Sequence, residues 1–250
     1  MAKMYNMDHA KRGIALVVNI RTYNPNPFKL NERKWSEPDV ENLKQSLQYL
    51  EFDLKLHENL TANEIRDKIQ KIADIDHMDS DCFLCVVMSH GNEDKIVTRD
   101  NKEISFEEIM APIKLCPSLE NKPKLFFFQA CRGENEMEIP RVKSRPNSGS
   151  AMPSAQINSD NSSQNNSADS KLVTTNLKTR NTAESDLLVY NATLPKHYAY
   201  GTETEGTYFI QSVCEVLKDS YKNLPNNLPL SQMITRVNRR VKEKEIFMVN

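Results

Sequence analysis

Five short apolar runs are spaced along the chain, and each is bounded by polar residues or glycine. A strand that is buried on both faces has apolar residues at consecutive positions, whereas a half-buried strand alternates. Four of the runs are continuous, and the run at 52–56 alternates. The predicted strands are therefore 13–19, 52–56, 82–88, 124–128 and 187–190.

Between these strands, apolar residues recur at spacings of three and four, which is the pattern of an amphipathic helix. Thr61 with Glu64, and Ser105 with Glu108, have the spacing of capping boxes, so helices are expected to begin there. The second of these helices is expected to end near Pro112. The predicted helices are 38–50, 61–72, 105–112, 207–218 and 229–242. Strands that alternate with helices predict an α/β sandwich with a mostly parallel sheet.

One segment, 141–184, interrupts this alternation. It contains nine serines, seven asparagines and no aromatic residue. Such a segment buries too little apolar surface to offset the entropy lost on ordering, so we predict a disordered linker. The linker separates a block at 1–140 from a shorter block at 185–250, and a long linker inside a compact domain is often functional.

The overall charge is nearly balanced. The chain has 250 residues, 33 basic and 34 acidic, so its net charge is -1. We therefore expect no strong attraction of the whole chain to nucleic acid or to an anionic membrane. The longest apolar run, 83–88, is far shorter than the roughly 18 residues of a membrane helix. No apolar core of a secretory signal is present in residues 1–12.

The cysteine pattern favours a reducing compartment. There are five cysteines, an odd number, and no export signal, so we expect a cytoplasmic location without a disulfide framework. Cys82 and Cys85 have the spacing of a metal-binding pair, but no second pair follows, and core packing is the better interpretation. No glycine-rich phosphate-binding motif occurs, which argues against a nucleotide-binding module. The sequence thus predicts neither a metal nor a cofactor.

A cysteine and a histidine follow two of the predicted buried strands. His90 comes after the strand at 82–88, and Cys131 comes after the strand at 124–128. In open α/β sheets, functional groups gather past the carboxyl ends of the strands. A thiol beside an imidazole, with backbone N–H groups to hold an oxyanion, is what a thiol protease needs. The alternative is a buried cysteine and a structural histidine.

The residues around Cys131 resemble a known family. Gln129-Ala130-Cys131-Arg132-Gly133, with a histidine upstream at His90, is similar to the signature of the caspases. The chain is identified as similar to short-prodomain effector caspases, and the resemblance implies a three-layer α/β/α sandwich. Further segments that resemble caspases are 9–19, 76–83, 89–91, 122–127 and 234–239.

The resemblance implies a role for each matching residue. Cys131 matches the family's nucleophile, and His90 matches its general acid/base. The backbone N–H groups of Gly91 and Cys131 match the oxyanion donors. Arg33 and Gln129 match two of the three groups that bind the carboxylate of the aspartate at the cleaved bond, a task that suits a guanidinium fork. Taken alone, Arg33 would be read as a solvated loop cation.

Two positions near the implied substrate site depart from the family. Gly201 stands where the family has a second pocket arginine, and losing such a charged hydrogen bond costs about 2–5 kcal/mol. Trp35 stands where the family has a small glycine, so its ring is expected to affect the loop of Arg33. Tyr198 and Tyr200 match aromatic residues that line an apolar subsite, although covering the core would explain them equally well.

The resemblance also predicts how the chain is divided and cut. The block at 1–140 matches the large subunit, and 185–250 matches a truncated small subunit, together forming one catalytic domain. Asp160 and Asp169 are the candidate activation sites in the linker, although any linker contains some aspartates. The chain stops at 250, where caspases continue to a final strand at the dimer contact. That strand is therefore expected to be missing, which would leave the usual dimer contact incomplete.

Two functions follow from these expectations. The first is a cysteine endopeptidase that cleaves protein substrates after aspartate, is made as a zymogen, and acts in apoptosis-type proteolysis. Its expected partners are those substrates, caspase inhibitors, and a second copy or another caspase in a dimer. The second is a catalytically weak, caspase-like regulator that binds and modulates an active caspase. The intact Cys131 and His90 favour the first, and Gly201 and Trp35 favour the second.

Overall fold

The computed structural model describes residues 5–25, 30–131, 186–193, 200–202, 204–222 and 229–247. The predicted linker at 141–184 lies outside these residues, and so do Asp160, Asp169 and Tyr198. The described residues fall within one compact unit formed by 1–137 and 179–250.

The strands and helices follow the predicted alternation. In chain order the strands are β1 (Ile14–Asn19), β2 (Asp53–Glu58), β3 (Phe83–Met88), β4 (Gly91–Asn92), β5 (Lys95–Val97), β6 (Glu103–Ser105), β7 (Lys124–Gln129), β8 (Leu187–Asn191), β9 (Gly201–Thr202) and β10 (Gly206–Thr207). The helices are α1 (Ser36–Tyr49), α2 (Ala62–Ala73), α3 (Phe106–Lys114), α4 (Tyr208–Lys222) and α5 (Leu230–Phe247), with a short 3₁₀ turn at Pro117–Leu119.

A five-stranded parallel sheet forms the centre of the fold. Its strand order is β2-β1-β3-β7-β8, and every described pairing in it is parallel. All six residues of β1 and of β3 are buried, which is why these strands read as continuous apolar runs. Parallel strands need both faces covered, and each face here carries its own core cluster.

Helices cover both faces of the sheet. The apolar sides of α2 and α3 pack on one face, where Ile65, Ile69 and Ile109 are at most 1% exposed. The helices α1, α4 and α5 contribute residues such as Leu43 and Ile210 to the cluster on the other face. The expected three-layer α/β/α sandwich is therefore confirmed.

The capping boxes also form where they were predicted. The Thr61 side chain accepts from the Glu64 backbone N–H at 3.3 Å, and Glu64 accepts from the Thr61 backbone N–H at 2.8 Å. Ser105 and Glu108 make the same reciprocal pair at the start of α3. These bonds satisfy N–H groups that a helix start would otherwise leave without a partner.

Helix α3 ends at Lys114, two residues past Pro112, near which its end was expected. A proline removes one helical hydrogen bond and crowds the preceding turn. The loss is offset because Ile113, directly after Pro112, is 1% exposed in the core, and the Leu115 N–H bonds to the Ala111 carbonyl across the proline at 3.1 Å.

Two small antiparallel elements had no counterpart in the sequence pattern. One is the three-stranded sheet β4-β5-β6, and the other is the β9–β10 hairpin. Their strands have two or three residues, which is too short to show a period of two. Both matter for the site, since β4 begins at Gly91 and β9 begins at Gly201. Within the described ranges, no helix is long and apolar enough to cross a membrane.

Candidate active site

The register of the sheet places His90 and Cys131 at matching positions. Met88 at the end of β3 pairs with Gln129 at the end of β7, and the Ser89 N–H donates to the Gln129 carbonyl at 3.1 Å. His90 is two residues past Met88, and Cys131 is two residues past Gln129. The two predicted catalytic residues therefore lie beyond the carboxyl ends of adjacent parallel strands, where α/β proteins gather functional groups.

Gly91 brings a stretch of backbone close to Cys131. A Cβ atom built on Gly91 would lie 2.9 Å from the Ala130 Cβ, 3.3 Å from the Cys131 carbonyl oxygen and 2.5 Å from the Lys95 carbonyl oxygen. Any side chain at this position would collide with backbone atoms. Glycine is therefore required here, and its backbone lies directly against the Ala130–Cys131 segment.

The imidazole of His90 is held by a backbone carbonyl. Its Nε2 is 2.9 Å from the Asn31 carbonyl oxygen. A carbonyl only accepts hydrogen bonds, so the neutral ring carries its proton on Nε2 and leaves Nδ1 as an acceptor. Burial lowers the pKa of His90, the bond to Asn31 raises it, and the positive charge of Arg33 lowers it further. The net lowering favours the neutral imidazole, which is the form that can take a proton from a thiol.

The sequence did not indicate that Asn31 holds the imidazole of His90. It acts through its main-chain oxygen, and any residue offers a carbonyl at that position. Only the fold of the loop before α1 could reveal this contact.

Cys131 differs from the other four cysteines in its exposure. All five thiols are free, and Cys131 alone is half-buried rather than buried. Burial raises the pKa of Cys82 to about 12 and that of Cys214 to about 11, and burial raises the pKa of Cys85 as well. These thiols stay protonated and enclosed, whereas Cys131 is open to an incoming group. The described residues hold no cluster of His, Cys, Asp or Glu suited to a metal.

Arg33 is buried beside the same end of the sheet. It is 2% exposed, and its Nη1 donates to the Asn19 Oδ1 at 3.1 Å and to the Ile20 carbonyl at 2.9 Å. Burial lowers its pKa, while interaction with Tyr23, Asp39 and Cys131 raises it. The reading of Arg33 as a solvated loop cation is therefore wrong, because its guanidinium is enclosed and its charge reaches Cys131.

Gln129 offers an unused polar group at the end of β7. Its side chain is 3% exposed, and its Oε1 has no hydrogen-bond partner. A buried polar atom without a partner costs about 1–3 kcal/mol. Rotation of the amide would present its NH₂ in place of the oxygen. A carboxylate or amide of a bound molecule would satisfy this position.

The β9–β10 hairpin carries Tyr200 and Gly201. Tyr200 is 38% exposed, so its ring does not serve mainly to cover the core. A Cβ atom on Gly201 would lie 2.6 Å from both the Gly206 carbonyl oxygen and the Thr207 Cα. The hairpin therefore leaves no room for a side chain at Gly201.

Asp39 anchors this hairpin to helix α1. Its Oδ1 accepts from the Thr207 backbone N–H at 2.8 Å, and its Oδ2 accepts from the Thr207 hydroxyl at 2.9 Å. The carboxyl is fully buried, with 0% of its surface exposed. Two bonds to a buried carboxyl fix the position of β10 on α1.

Trp35 packs against the candidate acid/base. Its ring is half-buried and meets the His90 ring edge to face, with centroids 6.5 Å apart and an interplanar angle of 74°. The unusual residue in the Arg33 loop therefore contacts His90 directly.

Comparison with known proteins agrees with this geometry. The sequence profile described as the Caspase domain matches residues 12–248. Caspase-8 of Mus musculus is 29% identical over 252 aligned positions, which cover 97% of this chain and 48% of that protein, so the chain spans about half its length. Caspase-6 of Mus musculus is 29% identical over 247 positions, covering 98% of this chain and 82% of that protein. The crystal structure of caspase-1 from Spodoptera frugiperda has a TM-score of 0.71 at 25% identity, covering 94% of this chain and 79% of that chain.

Proposed function

Because this chain belongs to the caspase family of cysteine peptidases, we propose that it is an endopeptidase that cleaves proteins after aspartate. One observation carries the proposal. The half-buried thiol, Cys131, and an imidazole that burial keeps neutral, His90, lie past the ends of two hydrogen-bonded parallel strands.

In the proposed reaction, the Cys131 Sγ forms a bond to the carbonyl carbon of the substrate, and its proton passes to the His90 Nδ1. The carbonyl π electrons move to the oxygen, which the N–H groups of Gly91 and Cys131 stabilise. The carbon–nitrogen bond then breaks, and His90 gives its proton to the leaving amine. Water, deprotonated by His90, hydrolyses the thioester and frees Cys131.

Arg33 and Gln129 are proposed to bind the aspartate carboxylate. A guanidinium has five N–H donors. Two bonds from Nη1 anchor Arg33, so its remaining N–H groups can bind a carboxylate. The Oε1 of Gln129 has no partner, so its amide can rotate and donate from the NH₂ group to the same carboxylate. With Gly201 in place of an arginine, we expect weaker binding of aspartate, by about 2–5 kcal/mol. Tyr198 and Tyr200 are proposed to border the neighbouring apolar subsite.

The family assignment also supports a proposal for how the protein is activated, where it acts and what it binds. We propose that the chain is a cytoplasmic zymogen, cut at Asp160 or Asp169 into the large and small subunits, and that it acts in apoptosis-type proteolysis. Its proposed partners are protein substrates with aspartate at the cleaved bond, caspase inhibitors, and another caspase subunit. The linker composition of 141–184 supports cleavage there, since proteolysis concentrates in such segments.

A second function is favoured by two specific contacts. The hairpin leaves no room for a side chain at Gly201, and Trp35 lies against the His90 ring. The first contact lies where the family has a substrate-binding arginine. The second touches the histidine that the family uses in catalysis. A catalytically weak regulator that binds an active caspase is therefore the second candidate.

The decisive experiment compares the wild type with Cys131→Ala. Fluorogenic peptides ending in Asp or in Ala are supplied, and intact mass reports cuts within 141–184. We expect cleavage after Asp only, and we expect Cys131→Ala to abolish it. Cys116→Ala is the matched control, because it removes a buried thiol and should retain activity. An inert wild type would support the regulator, and activity in Cys131→Ala would refute the nucleophile assignment.

A further inference from the structure

His90 lies between two aromatic side chains. The ring of Tyr23 is tilted by 33° to the imidazole, with centroids 5.1 Å apart, and the ring of Trp35 meets it edge to face at 6.5 Å. The carbonyl of Asn31 holds Nε2 from a third direction. The imidazole is thus restrained by two rings and one hydrogen bond.

The hydroxyl of Tyr23 joins the segment after β1 to the segment after β3. It accepts a hydrogen bond from the His90 backbone N–H at 2.9 Å. It also lies 3.0 Å from the Ser89 Oγ and 3.1 Å from the Ile20 carbonyl. Ser89 donates its own proton to the Val97 carbonyl, so the phenol proton points to the Ser89 Oγ or to the Ile20 carbonyl. The hydroxyl therefore accepts one hydrogen bond and donates one.

These contacts affect the proton transfer from Cys131 to His90, which the proposed reaction requires. The phenol links Ile20, after β1, to His90, after β3, and Ser89 extends the network to Val97 of β5. His90 has a side-chain bond at Nε2 and a backbone bond at N, and Tyr23 supplies the second of these. A change in either bond would move Nδ1, which must accept the proton of Cys131.

We propose that Tyr23 is a positioning residue that holds the backbone and ring of His90 so that Nδ1 faces Cys131. The inference rests on the proposed function, in which His90 accepts that proton. Phenylalanine would keep the ring contact with His90 and remove only the hydroxyl. The backbone N–H of His90 would then lose its partner, and the backbone position that aims the imidazole at Cys131 would be less closely fixed.

A spectroscopic probe of His90 is already present in the chain. Trp35 is its only tryptophan, and its ring lies beside the imidazole. A protonated imidazole quenches indole fluorescence far more strongly than a neutral one. A pH titration of tryptophan emission therefore follows the protonation of His90 without any substrate. The charge of Arg33 also acts on the ring. The thiol of Cys131 follows the adjacent strand, so the same titration is also run on Cys131→Ala.

The test compares the wild type with Tyr23→Phe and with the matched control Tyr49→Phe, which removes a hydroxyl at the far end of α1. His90→Asn identifies the part of the titration that belongs to His90. For Tyr23→Phe we expect kcat to fall roughly 10- to 100-fold with little change in KM. We also expect the His90 midpoint to move toward that of an exposed histidine, and the pH profile of Cys131 alkylation by iodoacetamide to move with it.

The outcomes separate this inference from the proposed function. If the wild type cleaves no peptide but Tyr23→Phe shifts both the titration and the alkylation profile, the positioning role stands and the proposed activity fails. If Tyr23→Phe matches the wild type in both profiles, the inference is overturned, whatever the activity of the wild type. A lowered melting temperature with unshifted profiles also overturns it, because Tyr23 would then only stabilise the loop.

Discussion

Asp39 should give the protein a pH-dependent stability of a specific sign. Burial raises the pKa of this carboxyl to about 7, against the lowering effects of the two bonds from Thr207 and the charge of Arg33. An aspartate in an unfolded chain has a pKa of about 3.9. The folded state therefore keeps a proton that the unfolded state releases between about pH 4 and pH 7. The free energy of unfolding must fall as the pH rises through this range.

The size of the effect follows from the difference in pKa. About three pKa units at 1.36 kcal/mol each give a loss of about 4 kcal/mol between pH 4 and pH 8. Asp39→Asn removes the ionisation and keeps both contacts, since Oδ1 still accepts from the Thr207 N–H and the Thr207 hydroxyl can accept from the new amide. The variant should match the wild type at pH 4 and exceed it by about 4 kcal/mol at pH 8.

Urea unfolding, followed by the emission of the one tryptophan, measures this directly. Burial also lowers the pKa values of His57 and His90, so the informative quantity is the difference between variant and wild type at each pH. Asp67→Asn, at an exposed position on α2, serves as the control and should show no such trend. A difference for Asp39→Asn that stays flat from pH 4 to pH 8 would refute the burial of Asp39 against Thr207.

Two further predictions concern a crowded glycine and a helix cap. Gly201→Arg should lower the melting temperature and leave the turnover of Asp peptides unimproved, because the clash begins at Cβ; Gly201→Ala should show the same loss of stability. Higher turnover at an unchanged melting temperature would contradict this account of the hairpin. Thr61→Ala should lower the free energy of unfolding by about 1 kcal/mol in urea titrations, whereas Thr61→Ser should keep the cap and the stability.

The parallel sheet and its helices could be predicted because their signals are local. The continuous apolar runs of β3 and β7 require two covered faces, and the capping box at Thr61 and Glu64 marks a helix start. The continuation of α3 through Pro112 to Lys114 could not be predicted, because burial of Ile113 outweighs the local effect of the proline. A buried residue that follows a proline can therefore extend a helix beyond it.

The site was predicted less completely than the fold. Cys131 and His90 are recognisable because their side-chain types and their places after two strands point to one chemistry. The contacts that restrain His90 come from Asn31 and Tyr23, which act through a carbonyl and through a hydroxyl bound to backbone. Such contacts depend on how a loop folds back on the sheet, and no pattern of residue types in the sequence predicts them.

The pairing of β7 with β8 has a consequence for the order of folding and cutting. The two strands are neighbours in the sheet, yet a long stretch of chain separates Gln129 from Leu187. In an intact chain, their meeting is an intramolecular closure whose entropy cost grows only slowly with length. In a chain that is cut before it folds, the same meeting becomes an encounter between two molecules and depends on their concentration. After folding, the hydrogen bonds of the sheet hold the pieces together, so the uncut chain is the form that can assemble unaided at low concentration.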